Sequence, residues 1–140
     1  MRVCLDTNAY SNLRRGNERL LALLHECDEI LVPAATCAEL MYGFLRGRKL
    51  SENESLLNSF LEEEHVSFQP VTQPIAERWG YVKAALAKKG TPIPETDIWI
   101  AATALETGAR LVSYDNHFDL VGGLIRLAPQ SASSEREAKA

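Results

Sequence analysis

The sequence predicts an α/β protein, a three-layer α/β/α sandwich with a mostly parallel central sheet. Short apolar runs alternate with stretches of helical periodicity in the order β-α-β-α-α-β-α-α-β-α-β, the pattern of a sheet covered on both faces. The 140 residues, 46% of them hydrophobic, suffice for one domain with a substantial core, and no internal repeat divides them. Neither the P-loop nor the dinucleotide type of Gly-rich phosphate loop is present.

The first strand is Arg2-Val3-Cys4-Leu5, and Asp6-Thr7-Asn8 after it reads as a strand-to-helix turn. An acidic residue leaving a first, central strand faces the crevice above the sheet, so Asp6 is a functional candidate; Thr7 and Asn8 read first as turn residues. Leu20, Leu21, Leu24 and Cys27 mark the buried face of a helix over residues 17–27. Ile30-Leu31-Val32 is a second strand, ended by Pro33. The next helix begins near Ala34, with Ala34, Ala38, Met41, Tyr42 and Leu45 inward and Glu39 on the border of that stripe.

Ser51 is the expected cap of a further helix, paired with Glu54 in a capping box, with Leu56, Leu57, Phe60 and Leu61 inward. Glu62-Glu63-Glu64 reads as a solvated run, and residues 66–71 alternate as a strand does. Thr72 and Pro74 start a long helix that buries Ile75, Trp79, Val82 and Leu86 and closes at Gly90. Both tryptophans, Trp79 and Trp99, read as core. A stiff loop, Thr91-Pro92-Ile93-Pro94, delivers Asp97 to the first turn of a helix capped by Thr96 and closed by Gly108. That helix buries Ile98, Ala101, Ala102 and Leu105. Arg110 to Ser113 is a strand with Asp115 just past its end, and Leu124 to Leu127 is the last strand. The domain therefore spans residues 1–129, and residues 130–140 are expected to be a disordered tail.

The formal net charge of −4 argues against gripping nucleic acid through bulk positive charge. Cations cluster locally instead, at Arg14-Arg15, at Arg46, Arg48 and Lys49, and at Lys88-Lys89, each near a helix end. Three cysteines without C-x-x-C spacing suit reduced thiols in the cytoplasm better than disulfides or a zinc site. No apolar run approaches the ~20 residues that span a bilayer, and the first residues read as a short strand rather than as the h-region of a signal peptide.

Four carboxylates, Asp6, Glu39, Asp97 and Asp115, come from four separate elements. If they converge at the carboxyl edge of the sheet, each pair at ~4 Å repels by about 4 kcal/mol at an effective dielectric near 20. Such a cluster takes up protons or holds a cation. Oxygen donors without a His or Cys cluster favour Mg²⁺, with Mn²⁺ also suitable, over zinc. The positive end of the Asp97 helix adds attraction for phosphate. The residues thus point to metal-assisted phosphodiester hydrolysis.

Four segments in this order, VCLDTNAYSNL, PAATCAELMYGF, DIWIAATALETGARLVSYDNHF and the closing GLIRL, resemble the PIN-domain family. They look specifically like the VapC-type toxin ribonucleases of toxin–antitoxin pairs. The resemblance implies a PIN-like fold in which Asp6, Glu39, Asp97 and Asp115 ligate Mg²⁺ and position the attacking water, Asp6 and Asp97 most directly. It implies supporting roles for Ser113 and Asn8. At His117, where the family often places another acid, this chain has histidine, which reads as a solvated loop residue able to touch a phosphate; Asp119 is displaced and is not counted. The resemblance further implies endoribonuclease action on structured RNA, a homodimer, and a cognate antitoxin whose tail covers the active site. RNA contacts then fall to Arg14, Arg15, Arg46, Arg48 and Lys49. The rival reading is a PIN-like scaffold that cleaves nothing and acts through protein contacts. A phosphotransfer or receiver domain is disfavoured because Asp6-Thr7-Asn8 lacks the paired acid such sites need.

Overall fold

A computed structural model describes residues 1–130; the expected disordered tail falls, from residue 131 on, outside the described residues. Strands β1 (Arg2–Leu5), β2 (Glu29–Pro33), β3 (Val66–Gln69), β4 (Arg110–Val112) and β5 (Arg126–Leu127) form one sheet in the order β3-β2-β1-β4-β5. Every pairing is parallel, so the mostly parallel expectation is met in full. The strand order reverses between β1 and β4, which opens a crevice beyond their carboxyl ends.

Period-two alternation along the strands divides the core into two layers. Val3, Leu5, Ile30, Val32 and Val112 face one side, while Cys4, Leu31 and Leu111 face the other. The first layer is covered by α1 (Thr7–Arg14), α2 (Glu18–His25), α3 (Ala34–Arg46) and α4 (Leu50–Leu61), through Tyr10, Leu20, Leu24, Leu40 and Phe60. The second is covered by α5 (Gln73–Lys89) and α6 (Glu95–Thr107), through Val82, Leu86, Ile98, Ile100 and Ala101. A 3₁₀ helix, Asn116–Leu120, follows β4 and sinks Phe118 into this second layer. The cysteines are free thiols, as expected, and burial pushes the pKa of the Cys4 thiol up to about 12. Among the described residues no helix is long and apolar enough to cross a membrane.

Several local expectations are corrected. Two helices, not one, join β1 to β2: Gly16, at φ 84°, breaks the chain between them and Asn17 caps the second. Residues 7–14 carry too few apolar positions for a periodic signal, with only Ala9 and Tyr10 buried. On α3 the inward stripe is Thr36, Cys37, Leu40 and Phe44, whereas Ala38, Met41, Tyr42 and Leu45 are exposed. That helix is apolar on both faces, so hydrophobicity cannot choose; the buried Thr36 hydroxyl, donating to the Leu5 carbonyl at 2.9 Å, helps fix the choice. Helix α4 starts at Leu50, which places Ser51 inside its first turn rather than at the cap. Likewise α6 starts at Glu95 behind Pro94, so Thr96 is no cap. Strand β3 stops at Gln69, before Pro70, whose missing N–H ends the ladder.

Candidate active site at the crevice between β1 and β4

Asp6 is the residue that turns β1 into α1. Its extended backbone makes it the helix N-cap, and its Oδ1 accepts the Ala9 N–H at 2.8 Å. Only 4% of its surface is exposed. Burial raises its pKa from the ordinary carboxylate value, and the negative charges of Asp115 and Glu39 push the same way, against stabilising hydrogen bonds from Ser113 and Ala9. Ser113, fully buried just past β4, thus serves Asp6, and its Oγ accepts the Asp115 N–H at 3.1 Å.

Asp97 enters from the first turn of α6, whose N-terminal end carries positive partial charge. Burial is the largest cause raising its pKa; Glu39 and Asp6 raise it further, and only His117 holds it down. Asp115 caps the 3₁₀ helix, its Oδ1 accepting the His117 N–H at 3.1 Å. Glu39 arrives from α3, its Oε1 accepting the Thr7 hydroxyl at 2.6 Å. Asp6 therefore lies within electrostatic reach of Glu39, Asp97 and Asp115 at one sheet edge, and Asp97 within reach of Glu39 as well.

The PIN domain family profile matches residues 3–124. Ribonuclease VapC2 of Haemophilus influenzae Rd is 34% identical over 116 residues, covering 81% of this chain and 86% of that one. The chain belongs to the PIN-domain family. Within it, the similarity runs to the VapC group. Among solved structures, VapBC2 from Rickettsia felis bound to a DNA fragment from their promoter gives a TM-score of 0.82 at 25% identity, over 93% of this chain and 100% of that one. VapBC-5 from Mycobacterium tuberculosis, of the VapBC family of toxin–antitoxin systems, gives 0.69 at 25% identity, over 90% and 98%.

Two residues of this PIN domain have site contacts that sequence reasoning does not find. Thr7, which reads as a turn residue, is the hydroxyl that holds Glu39. His117, which reads as solvated, lies between two acids: Nε2 is 2.8 Å from Asp97 Oδ2 and Nδ1 is 2.9 Å from Asp115 Oδ1. Neither contact has a sequence signal beyond the residue types, because the partners are brought together only by the fold. Asn8 instead sits exposed on α1, its carbonyl accepting the Asn12 side chain at 2.9 Å. Asp119 is held away by a two-point pair with Arg126, both contacts at 2.9 Å, which suits its exclusion from the cluster.

The basic residues stand at the far ends of the helices that begin near the site. Arg14 and Arg15 lie about 12 Å along the α1 axis from Asp6 by helical rise, and Arg46 ends α3. Arg14 stacks over the Tyr10 and Phe60 rings, 5.3 and 5.7 Å from their centroids, and Arg46 over Tyr42 at 5.5 Å. Arg48 and Lys49 are exposed in the α3–α4 turn. Arg14 and Arg15 also line a groove with Tyr10, Leu40, Phe44 and Leu56.

As a place for a divalent ion, the donor chemistry fits. Oxygens dominate, two of the acids are pushed toward protonation by burial and mutual repulsion, and a cation relieves both. Among the described residues no three acidic, His or Cys side chains already surround one ion position. Glu39 is turned to Thr7, and His117 stands between Asp97 and Asp115.

Proposed function

We propose that this chain is a Mg²⁺-dependent endoribonuclease, with Mn²⁺ accepted, and the toxin half of a toxin–antitoxin pair acting on structured RNA in the cytoplasm. The observation that carries the reading is the meeting of Asp6, Glu39, Asp97 and Asp115 at the reversal point of a parallel sheet, where Asp6 and Asp97 each feel the charge of other acids in the cluster. Support by kinship comes from the name ribonuclease borne by a relative 34% identical.

Asp6 and Asp97 are the direct metal ligands in this reading, with Glu39 and Asp115 completing the set. A bound divalent ion supplies Lewis-acid polarisation of a phosphate oxygen and a more acidic water. Ser113 fixes the orientation of Asp6 and of the Asp115 backbone. The α6 N-terminus attracts the phosphate that arrives beside Asp97. Hydrolysis adds hydroxide to phosphorus and a proton to the leaving sugar oxygen, and a free carboxylate oxygen of the cluster takes up the water's proton on the way. Arg14, Arg15, Arg46, Arg48 and Lys49 hold more distant phosphates.

The partner is an antitoxin, as in the VapBC relatives, and the chain pairs with a second copy of itself. An apolar face on α3, with Tyr42 64% and Leu45 59% exposed, supports a protein partner. The test is cleavage of cellular RNA by the purified chain free of antitoxin, with and without Mg²⁺, followed by sequencing of the new 5′ ends. Asp6→Asn and Asp97→Asn should each lower cleavage by roughly 100-fold or more while the fold stays intact. A fully active Asp97→Asn enzyme would refute the site; no metal-dependent cleavage of any RNA would favour a silent scaffold.

A further inference from the structure

We propose, on the carboxylate reading above, that His117 is itself a metal-binding residue, giving Nε2 as a nitrogen donor beside Asp97 and biasing the site toward Mn²⁺ over Mg²⁺. The geometry begins at Nε2. Nε2 is buried and has no hydrogen-bond partner, although Asp97 Oδ2 lies 2.8 Å away. The oxygen is close enough to bond yet not placed along a ring N–H. A positive charge between ring and carboxylate draws the two together, whether a ring proton, as in an ion pair with Asp97, or a bound divalent ion in its place. Adjacent donors ~2.1 Å from an octahedral ion lie about 3 Å apart, close to the spacing seen here.

The other ring nitrogen has the partner that metal-bound histidines take. Nδ1 lies 2.9 Å from Asp115 Oδ1, and a carboxylate there orients the ring and leaves Nε2 for the ion. Asp115 also holds the His117 backbone N–H, and the imidazole packs against the Phe118 ring at 4.7 Å between centroids. The ring is thus held at Nδ1 and against Phe118, and its backbone is anchored to the same Asp115. Asp6, Glu39, the second carboxylate oxygen of Asp115, water and substrate phosphate oxygens remain to complete the shell. One imidazole among oxygens matters because nitrogen donors suit Mn²⁺ and later metals better than Mg²⁺.

The experiment uses the full chain stripped of metal. Mn²⁺ and Mg²⁺ affinities are measured by calorimetry for the wild type, His117→Ala, His117→Asp and Asp97→Asn, and pulsed EPR of the Mn²⁺-loaded proteins looks for a coupled imidazole nitrogen. The expected result is a nitrogen signal in the wild type that both His117 variants lack. The Mn²⁺-to-Mg²⁺ affinity ratio should fall by roughly tenfold or more in His117→Ala. The other two histidines, His25 and His65, are exposed and outside this cluster, so loss on changing His117 assigns the nitrogen. If His117→Ala loses its circular dichroism, His117→Asp carries the same comparison. An absent nitrogen signal in the wild type, or an unchanged ratio in the variants, overturns the proposal. Asp97-dependent binding that ignores His117 sinks the histidine alone, whereas a wild type that binds neither ion sinks the carboxylate site with it.

Discussion

Asp6 does two jobs with one side chain. As N-cap it accepts the Ala9 N–H, and as the most buried acid of the cluster it carries a charge that its surroundings disfavour. With its pKa raised, the folded chain holds the proton to a higher pH than the unfolded chain does. The stability this proton contributes is complete below the unfolded carboxylate pKa and is lost as pH rises through the folded value. Metal-free wild type should therefore melt lower at neutral pH than at mildly acidic pH, insofar as Asp6 controls it. Asp6→Asn keeps a capping side chain but has nothing to titrate. Thermal melts across that range should show a flatter slope for the variant, with stability at neutral pH at least equal to wild type; an unaltered slope would show that other groups set it. Divalent ions should raise the wild-type melting temperature at neutral pH by binding only the folded chain.

Among the elements, the junctions matter more than the interiors. Thr36 in the first turn of α3 donates to the carbonyl of Leu5, the last residue of β1. One buried bond thereby ties the helix that carries Glu39 to the strand that delivers Asp6. Thr36→Val keeps the shape and leaves that carbonyl short of a donor, at a cost of about 1–3 kcal/mol in chemical denaturation. Cleavage should fall as well, since both carboxylates shift. Helix ends are legible where their chemistry is local: Thr72 caps α5, and Gly90 and Gly108 close α5 and α6 in the left-handed region at φ 70° and 69°. They are not legible at Ser51 and Thr96, where Leu50 and Glu95 enter the helix first.

At the scale of the whole molecule, the proposed function asks a chain of net charge −4 to hold a polyanion. Charge is segregated in a way that suits this, with acids at the crevice and Arg15, Arg48 and Lys49 exposed at the far end of α1 and in the α3–α4 turn. Replacing those three with alanine should weaken RNA binding uniformly and flatten the salt dependence by roughly 0.7–0.9 log units for each phosphate no longer neutralised. Arg14 is a poor choice for that set, because its stacking on Tyr10 and Phe60 makes it part of the packing. An unchanged slope would remove the basic residues from the binding surface.

The sequence by itself determined the layers, the strands and the chemistry on offer: alternation along β1, β2 and β4 sorts side chains to two faces, and acids at strand exits and a helix start declare an edge. Those features repeat over a few residues, so local periodicity records them. Tertiary structure alone decided which face of α3 turns inward, that Thr7 holds Glu39 from 32 positions away, and that His117 stands between Asp97 and Asp115. Each of these is an arrangement of elements distant in the chain, set by how layers pack, and no short window of sequence carries it.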